Sequence, residues 1–149
     1  MNGFYLSFSI GPWTSRISRA IQKERKTYLL DYGLIKDAGA RFENMVALEL
    51  LRAVSAWREM GMGEYSLHFI RDKEKREVDF LIADRHKPVL LLETKLSDET
   101  AAPSLMRFQR ILKIPAIQLL HDGAGYRLIR NGEENLLVAP AWMWLSLLP

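Results

Sequence analysis

Glu77-Val78-Asp79-Phe80-Leu81-Ile82-Ala83, then Asp84-Arg85-His86-Lys87-Pro88, then Val89-Leu90-Leu91-Leu92-Glu93-Thr94-Lys95 is the stretch on which the fold turns. The first seven residues alternate, with Val78, Phe80 and Ile82 facing one way and Glu77, Asp79 and Leu81 the other. The last seven begin as a near-continuous apolar run, which suits a strand buried on both faces. The polar segment between them, with its proline, reads as a solvent-facing turn. Together they predict a hairpin in the middle of a sheet. Three charges do not belong in a plain core: Asp79 lies mid-strand, and Glu93 and Lys95 end the apolar run. Alternation places Glu93 and Lys95 on one face, roughly 6–7 Å apart along the chain. Charges there are costly unless they are paired or bound to a metal.

The chain around this stretch has 149 residues, 48% hydrophobic and 26% charged, the composition of a single folded domain with a real core. It has no cysteine, which excludes disulfides, thiolate zinc sites and thiol nucleophiles and suits a cytosolic protein. A net charge of +3 and a pI near 9.3 lean mildly toward anionic partners. Met1 to Ile10 has neither the basic start nor the small-residue cleavage site of a signal peptide. The apolar tail, residues 136–149, is shorter than the ~20 residues a membrane span needs and is interrupted by Pro140. No membrane association is expected.

Working outward, residues 4–10 alternate and predict a strand, either an added sheet edge or the remnant of a preceding module. Residues 14–26 are basic, with Arg16, Arg19, Lys23, Arg25 and Lys26 against a single Glu24. They read as a solvated connector, or as an arm whose Arg16, Arg19 and Lys23 touch phosphates. Residues 27–31 predict a short strand, followed by a turn in which Gly33 takes the position that tolerates positive φ. Residues 39–60 are the clearest helix. Its apolar stripe is Val46, Ala47, Leu50, Val54 and Trp57, and Glu43 lies at the centre of that stripe. Glu43 is therefore the acid of this helix expected to face the sheet. Strands follow at 65–70, 115–120, 126–130 and near 136–138, with a helix at about 103–113. The charged turn 71–76 reads as a hairpin tip in water, although Arg71 and Arg76 are also candidate phosphate contacts. A short helix closes the chain, with Trp142, Trp144 and Leu145 capping the core. The three histidines have no metal-ligand spacing.

A helix with an inward Glu, a strand, a strand with Asp, a strand with Glu-x-Lys, a helix and a strand resemble the PD-(D/E)XK, or restriction-endonuclease-like, superfamily. Lys26-Thr27-Tyr28-Leu29-Leu30-Asp31-Tyr32-Gly33-Leu34, Arg41-Phe42-Glu43-Asn44, Arg71, Glu77-Val78-Asp79-Phe80 and Glu93-Thr94-Lys95 are more narrowly similar to the C-terminal domain of unknown function found in bacterial and archaeal AAA-type ATPases. Val78 stands where the superfamily name has proline. No Gly-x-x-x-x-Gly-Lys-Ser/Thr run is present, so no ATP hydrolysis through a phosphate-binding loop is expected. The resemblance implies an α/β fold with a central mixed sheet flanked by helices (α-β-β-β-α-β core). It divides the chain into a connector, 1–26, and a nuclease-like domain, 27–149. It further implies that Asp79, Glu93 and the backbone carbonyl of Thr94 hold Mg²⁺ or Mn²⁺, that Glu43 assists, and that Lys95 orients the attacking water.

Two functions from different classes follow. One is a metal-dependent DNA nuclease using Glu43, Asp79, Glu93 and Lys95. The other is a non-catalytic module that binds DNA or a protein partner on a nuclease-like scaffold. A closed ion-pair network among the charged residues favours the second.

Overall fold

The computed structural model describes residues 6–15 and 24–149. Of the basic connector, Arg16, Arg19 and Lys23 lie outside the described residues. A six-stranded mixed sheet runs in the order β3-β4-β5-β6-β8-β7. Its strands are β3 (Tyr65–Arg71), β4 (Glu77–Asp84), β5 (Lys87–Lys95), β6 (Ala116–Leu120), β7 (Arg127–Asn131) and β8 (Glu134–Pro140). Helices α1 (Ala38–Glu59), α2 (Pro103–Leu112) and α3 (Ala141–Leu145) flank it. The sequence order α1-β3-β4-β5-α2-β6 is the expected α/β core. A separate two-stranded ribbon pairs β1 (Ser7–Ile10) antiparallel with β2 (Lys26–Leu29). Among the described residues no helix is long and apolar enough to cross a membrane.

The two sheet faces carry different cores. One holds Val46, Leu50 and Val54 of α1, Ile10 and Tyr28 of the ribbon, and Phe69, Phe80, Ile82 and Leu92 of the sheet. The other holds Leu105 and Phe108 of α2 with Val78, Leu81, Leu91 and Leu136. Leu91 and Leu92 thus enter opposite cores, both fully buried, as the apolar run of β5 predicts.

Helix α1 starts at Asp37, whose carboxylate accepts the Ala40 N–H at 2.7 Å. It ends where Gly61 turns the chain at φ 71°. The β4–β5 hairpin tip puts Arg85 and His86 at φ 48° and 71°, the left-handed pair of a tight hairpin turn. The indole of Trp13 stacks on His86 at 5.6 Å and its ring N–H donates to the His86 carbonyl. The segment after β1 continues along the edge of β3: Trp13 N–H donates to Phe69 O at 2.7 Å and Phe69 N–H to Gly11 O at 3.2 Å. Ser7–Ile10 itself pairs with β2 in the separate ribbon, and it is the residues after it, Gly11 to Trp13, that bridge to the edge of β3.

Three details differ from the sequence expectations. The alternation of β4 breaks: Val78 packs with Leu81 rather than with Phe80 and Ile82. The cause is a bulge, because β4 advances from Leu81 to Val78 while β3 advances only from His68 to Ile70. Gly33 does not take positive φ; residues 32–34 form a 3-10 turn capped by Asp31, and a Cβ at Gly33 would sit 3.1 Å from that carboxylate. Trp142 is 64% exposed, whereas Trp144 and Leu145 pack on the core as expected.

Candidate functional site

The bulge lies where β4 and β5 part. Their backbone pairing ends at Phe80↔Leu92, although both strands run on to Glu77 and Lys95. Beyond that point side chains replace the ladder. Asp79 Oδ2 accepts the Thr94 N–H at 2.9 Å and the Thr94 hydroxyl at 2.7 Å. In return Glu93 Oε2 accepts the Asp79 N–H at 3.2 Å. Each carboxylate thus caps the other strand. Lys95 Nζ lies 3.2 Å from Glu93 Oε1, so the residues that alternation placed on one face do meet.

From the other side come α1 and the ribbon. Glu43 faces the sheet, as its place on the apolar stripe predicts, and accepts the Tyr28 hydroxyl at 2.8 Å. The ribbon is fastened by Asn44, a buried residue whose amide takes the Leu29 N–H at 2.8 Å and donates to the Leu29 carbonyl at 2.7 Å. That clamp sets where Lys26, three residues earlier, points. Its ammonium lies 2.6 Å from Glu43, 2.9 Å from Glu77 and 3.7 Å from Asp79. The rings of Phe69, Tyr28 and Phe80 lie 5.7, 5.9 and 6.0 Å from the same nitrogen. Glu77 is shared with Arg71, which also reaches Glu24.

All four residues singled out from sequence, Glu43, Asp79, Glu93 and Lys95, therefore converge. Sequence reasoning missed the part played by Lys26, Glu77, Tyr28 and Asn44. Lys26 read as one more cation of a basic connector. Its partners Glu77 and Glu43 are distant in sequence, and no local pattern announces such a pairing.

The electrostatics follow from the carboxylates of Glu43, Glu77, Asp79 and Glu93 facing Lys26, Arg71 and Lys95, with Arg71 shared by Glu24. Burial and then the neighbouring Asp79 charge push Glu93 up to about 7, against the pull of Lys95. Burial, and next Glu43, raise Asp79 as well, despite Lys26 and the Thr94 donors. Burial opposes the charge on Lys26, yet the acids around it outweigh that and leave its pKa raised. Partial burial would raise Glu77, but Lys26 and Arg71 together hold it below the ordinary carboxylate range. Tyr28 is kept a phenol by burial and by Glu43.

A divalent cation needs several oxygens free to converge on one point. Here Asp79 Oδ2 is taken by Thr94, both oxygens of Glu93 have partners, and Glu43 Oε1 faces Lys26 and Tyr28. Thr94 meets the cluster as a donor. Among the described residues no three Asp, Glu or His side chains form a group that could hold a metal ion. As arranged, the acids do not fit Mg²⁺ or Mn²⁺; they fit an ammonium. The two candidate phosphate contacts among the described residues are likewise engaged: Arg71 pairs with Glu77 and Glu24, and Arg76 with Asp72 and Glu74.

These features define an α/β domain in which the parted ends of two inner strands gather a cluster of acids and bases. The chain belongs to the family described as Domain of unknown function (DUF4143), whose model matches residues 38–142. Lys26 and Tyr28 lie before the matched span. Among solved structures it is similar to a chain of the Thermococcus gammatolerans assembly of McrB AAA+ hexamers with bound McrC, with 11% identity and a TM-score of 0.51. That similarity covers 70% of this chain and 28% of the other, so this chain spans less than a third of that chain's length. At this identity the likeness shows the fold alone. A comparison with curated proteins found no significant match.

Proposed function

We propose that this chain is a non-catalytic accessory module on a nuclease-like scaffold, which works by binding a protein partner of the AAA-type ATPase class. The observation that carries this reading is Lys26: its ammonium fills the space between Glu43, Glu77 and Asp79, so the acids form a closed ion-pair network rather than an open ligand set. Support for the partner class comes from the fold's likeness to a chain from an AAA+ assembly and from the sequence resemblance to ATPase-borne domains. The test is calorimetry with MgCl₂ and MnCl₂ beside a plasmid-cleavage assay, both on the wild-type chain. The expected result is neither metal binding nor cleavage. Metal-dependent cleavage that disappears in Asp79→Ala overturns the reading.

One observation favours the second reading, a cytosolic metal-dependent DNA nuclease. Asp79 and Glu93 are held against each other at the split strand ends, with Glu93 pushed up to about 7. A buried acid raised by burial and by a neighbouring carboxylate is what an added cation would relieve. The same cleavage assay separates the two readings.

A further inference from the structure

The sheet has two edges, and the chain treats them differently. Gly11 to Trp13 bridge to β3 at one edge. At the other edge, among the described residues, no strand or bridge pairs with the outer side of β7. We propose that β7 is a self-association edge: a second copy of this chain pairs with it, antiparallel about a two-fold axis at Leu128, and joins the two six-stranded sheets.

Three observations carry this. The first is the backbone. The β7–β8 hairpin closes on the two-residue turn Gly132-Glu133, with Gly132 at φ 70°. In such a hairpin Asn131↔Glu134, Ile129↔Leu136 and Arg127↔Val138 are the pairs that exchange hydrogen bonds. The N–H and C=O of Leu128 and Arg130 therefore point away from β8, toward the open side, where they form a template for another strand. Arg127–Asn131 contains neither proline nor lysine, and its register against β8 runs without a bulge.

The second is an apolar surface beside that edge. Tyr126 and Leu128 are each more than three-fifths exposed. Both line a groove of about 200 Å³ whose other walls include Leu137 of β8, Trp144 of α3 and Leu147. They thus share the face of β7 turned toward α3, and alternation puts Arg130 on the same face.

The third is self-complementarity. The order on that face is Tyr126, Leu128, Arg130. Antiparallel pairing about Leu128 sets this leucine opposite its own copy and each Tyr126 opposite Arg130 of the other copy, an aliphatic contact flanked by two cation–π pairs. Arg130 is exposed and, among the described residues, joins no ion pair that would compete. The two copies of Arg130 then stand four residues apart, roughly 13 Å. Pairing about Arg130 would set the guanidiniums face to face, and pairing about Ile129 would set each against a leucine.

Sedimentation equilibrium of the full chain tests this. Wild type is expected to show a concentration-dependent monomer–dimer equilibrium. Leu128→Asp and Arg130→Glu, both at exposed positions, should each weaken the dimer by about tenfold or more. Leu6→Asp, at an exposed leucine of the ribbon end, should leave it unchanged. The chain has no cysteine, so Leu128→Cys introduces a single thiol. Directly opposed strand residues lie about 5.5 Å apart at Cα, within disulfide reach, so Leu128→Cys should oxidise to a covalent dimer far faster than Leu6→Cys. A wild type that stays monomeric up to about 1 mM overturns the proposal and leaves the edge to a strand of another protein. A dimer that neither β7 substitution weakens, or that Leu6→Asp weakens equally, overturns it too. Should Leu128→Asp fail to fold, Arg130→Glu and the two cysteine variants decide.

Discussion

Glu93 is asked to be two things at once, a buried cap on the Asp79 N–H and the counter-ion of Lys95. Its side chain is only 10% exposed, and Asp79 adds a second negative charge beside it. Its folded pKa of about 7 lies above the ordinary 4.5, so the native state keeps a proton that the unfolded chain releases. Stability from this group is therefore full below about pH 4.5 and is lost as the pH rises through about 7. The raised pKa of Asp79 acts in the same direction. Replacing Glu93 by Gln removes the group that titrates. Between pH 5 and 8, Glu93→Gln should gain on wild type by on the order of 2–3 kcal/mol. Urea unfolding at the two pH values checks this; a stability difference that does not change with pH would show that Glu93 does not carry the proton.

Between elements, the placement of the ribbon on α1 rests on Asn44. Its amide makes two hydrogen bonds to one residue of β2 and is 2% exposed. Asn44→Ala leaves a backbone N–H and a carbonyl without those partners, a loss of about 2–3 kcal/mol. Asn44→Asp keeps the acceptor but not the donor and should not restore stability. Chemical denaturation of both variants, with amide exchange at Leu29, reads the effect; unchanged exchange at Leu29 would mean that the clamp is incidental. Asn44 also shows where sequence reading stops. Helical periodicity found the α1 face and put Glu43 on it, because that depends only on spacing within one element. The apolar run of β5 and the shared face of Glu93 and Lys95 were legible for the same reason. The turn of Val78 away from Phe80 was not, since the bulge in β4 is set by its register against β3. Lys26 was not either: its pairing with Glu77 spans 51 residues, and nothing in residues 14–26 separates it from the cations beside it.

At the scale of the molecule, the question is whether the ribbon is a connector beside the domain or part of it. Ile10 is 3% exposed and Tyr28 5%, and both lie in the core that also holds Val46, Leu50 and Phe80. Edge contacts of Gly11 and Trp13 with Phe69 tie the same segment to β3. A two-stranded ribbon is marginal by itself in water, so β1 and β2 depend on this shared core for their stability. The ribbon and the sheet should therefore unfold together. Leu50 lies fully buried in α1, in the core cluster that ribbon and sheet share. Leu50→Ala should cost about 2–5 kcal/mol. The loss should appear equally in native-state amide exchange at Leu29 of the ribbon and at Leu92 of the central sheet, provided both exchange through global opening. If Leu29 exchanges at the same rate with and without the substitution while Leu92 is accelerated, the ribbon opens by itself.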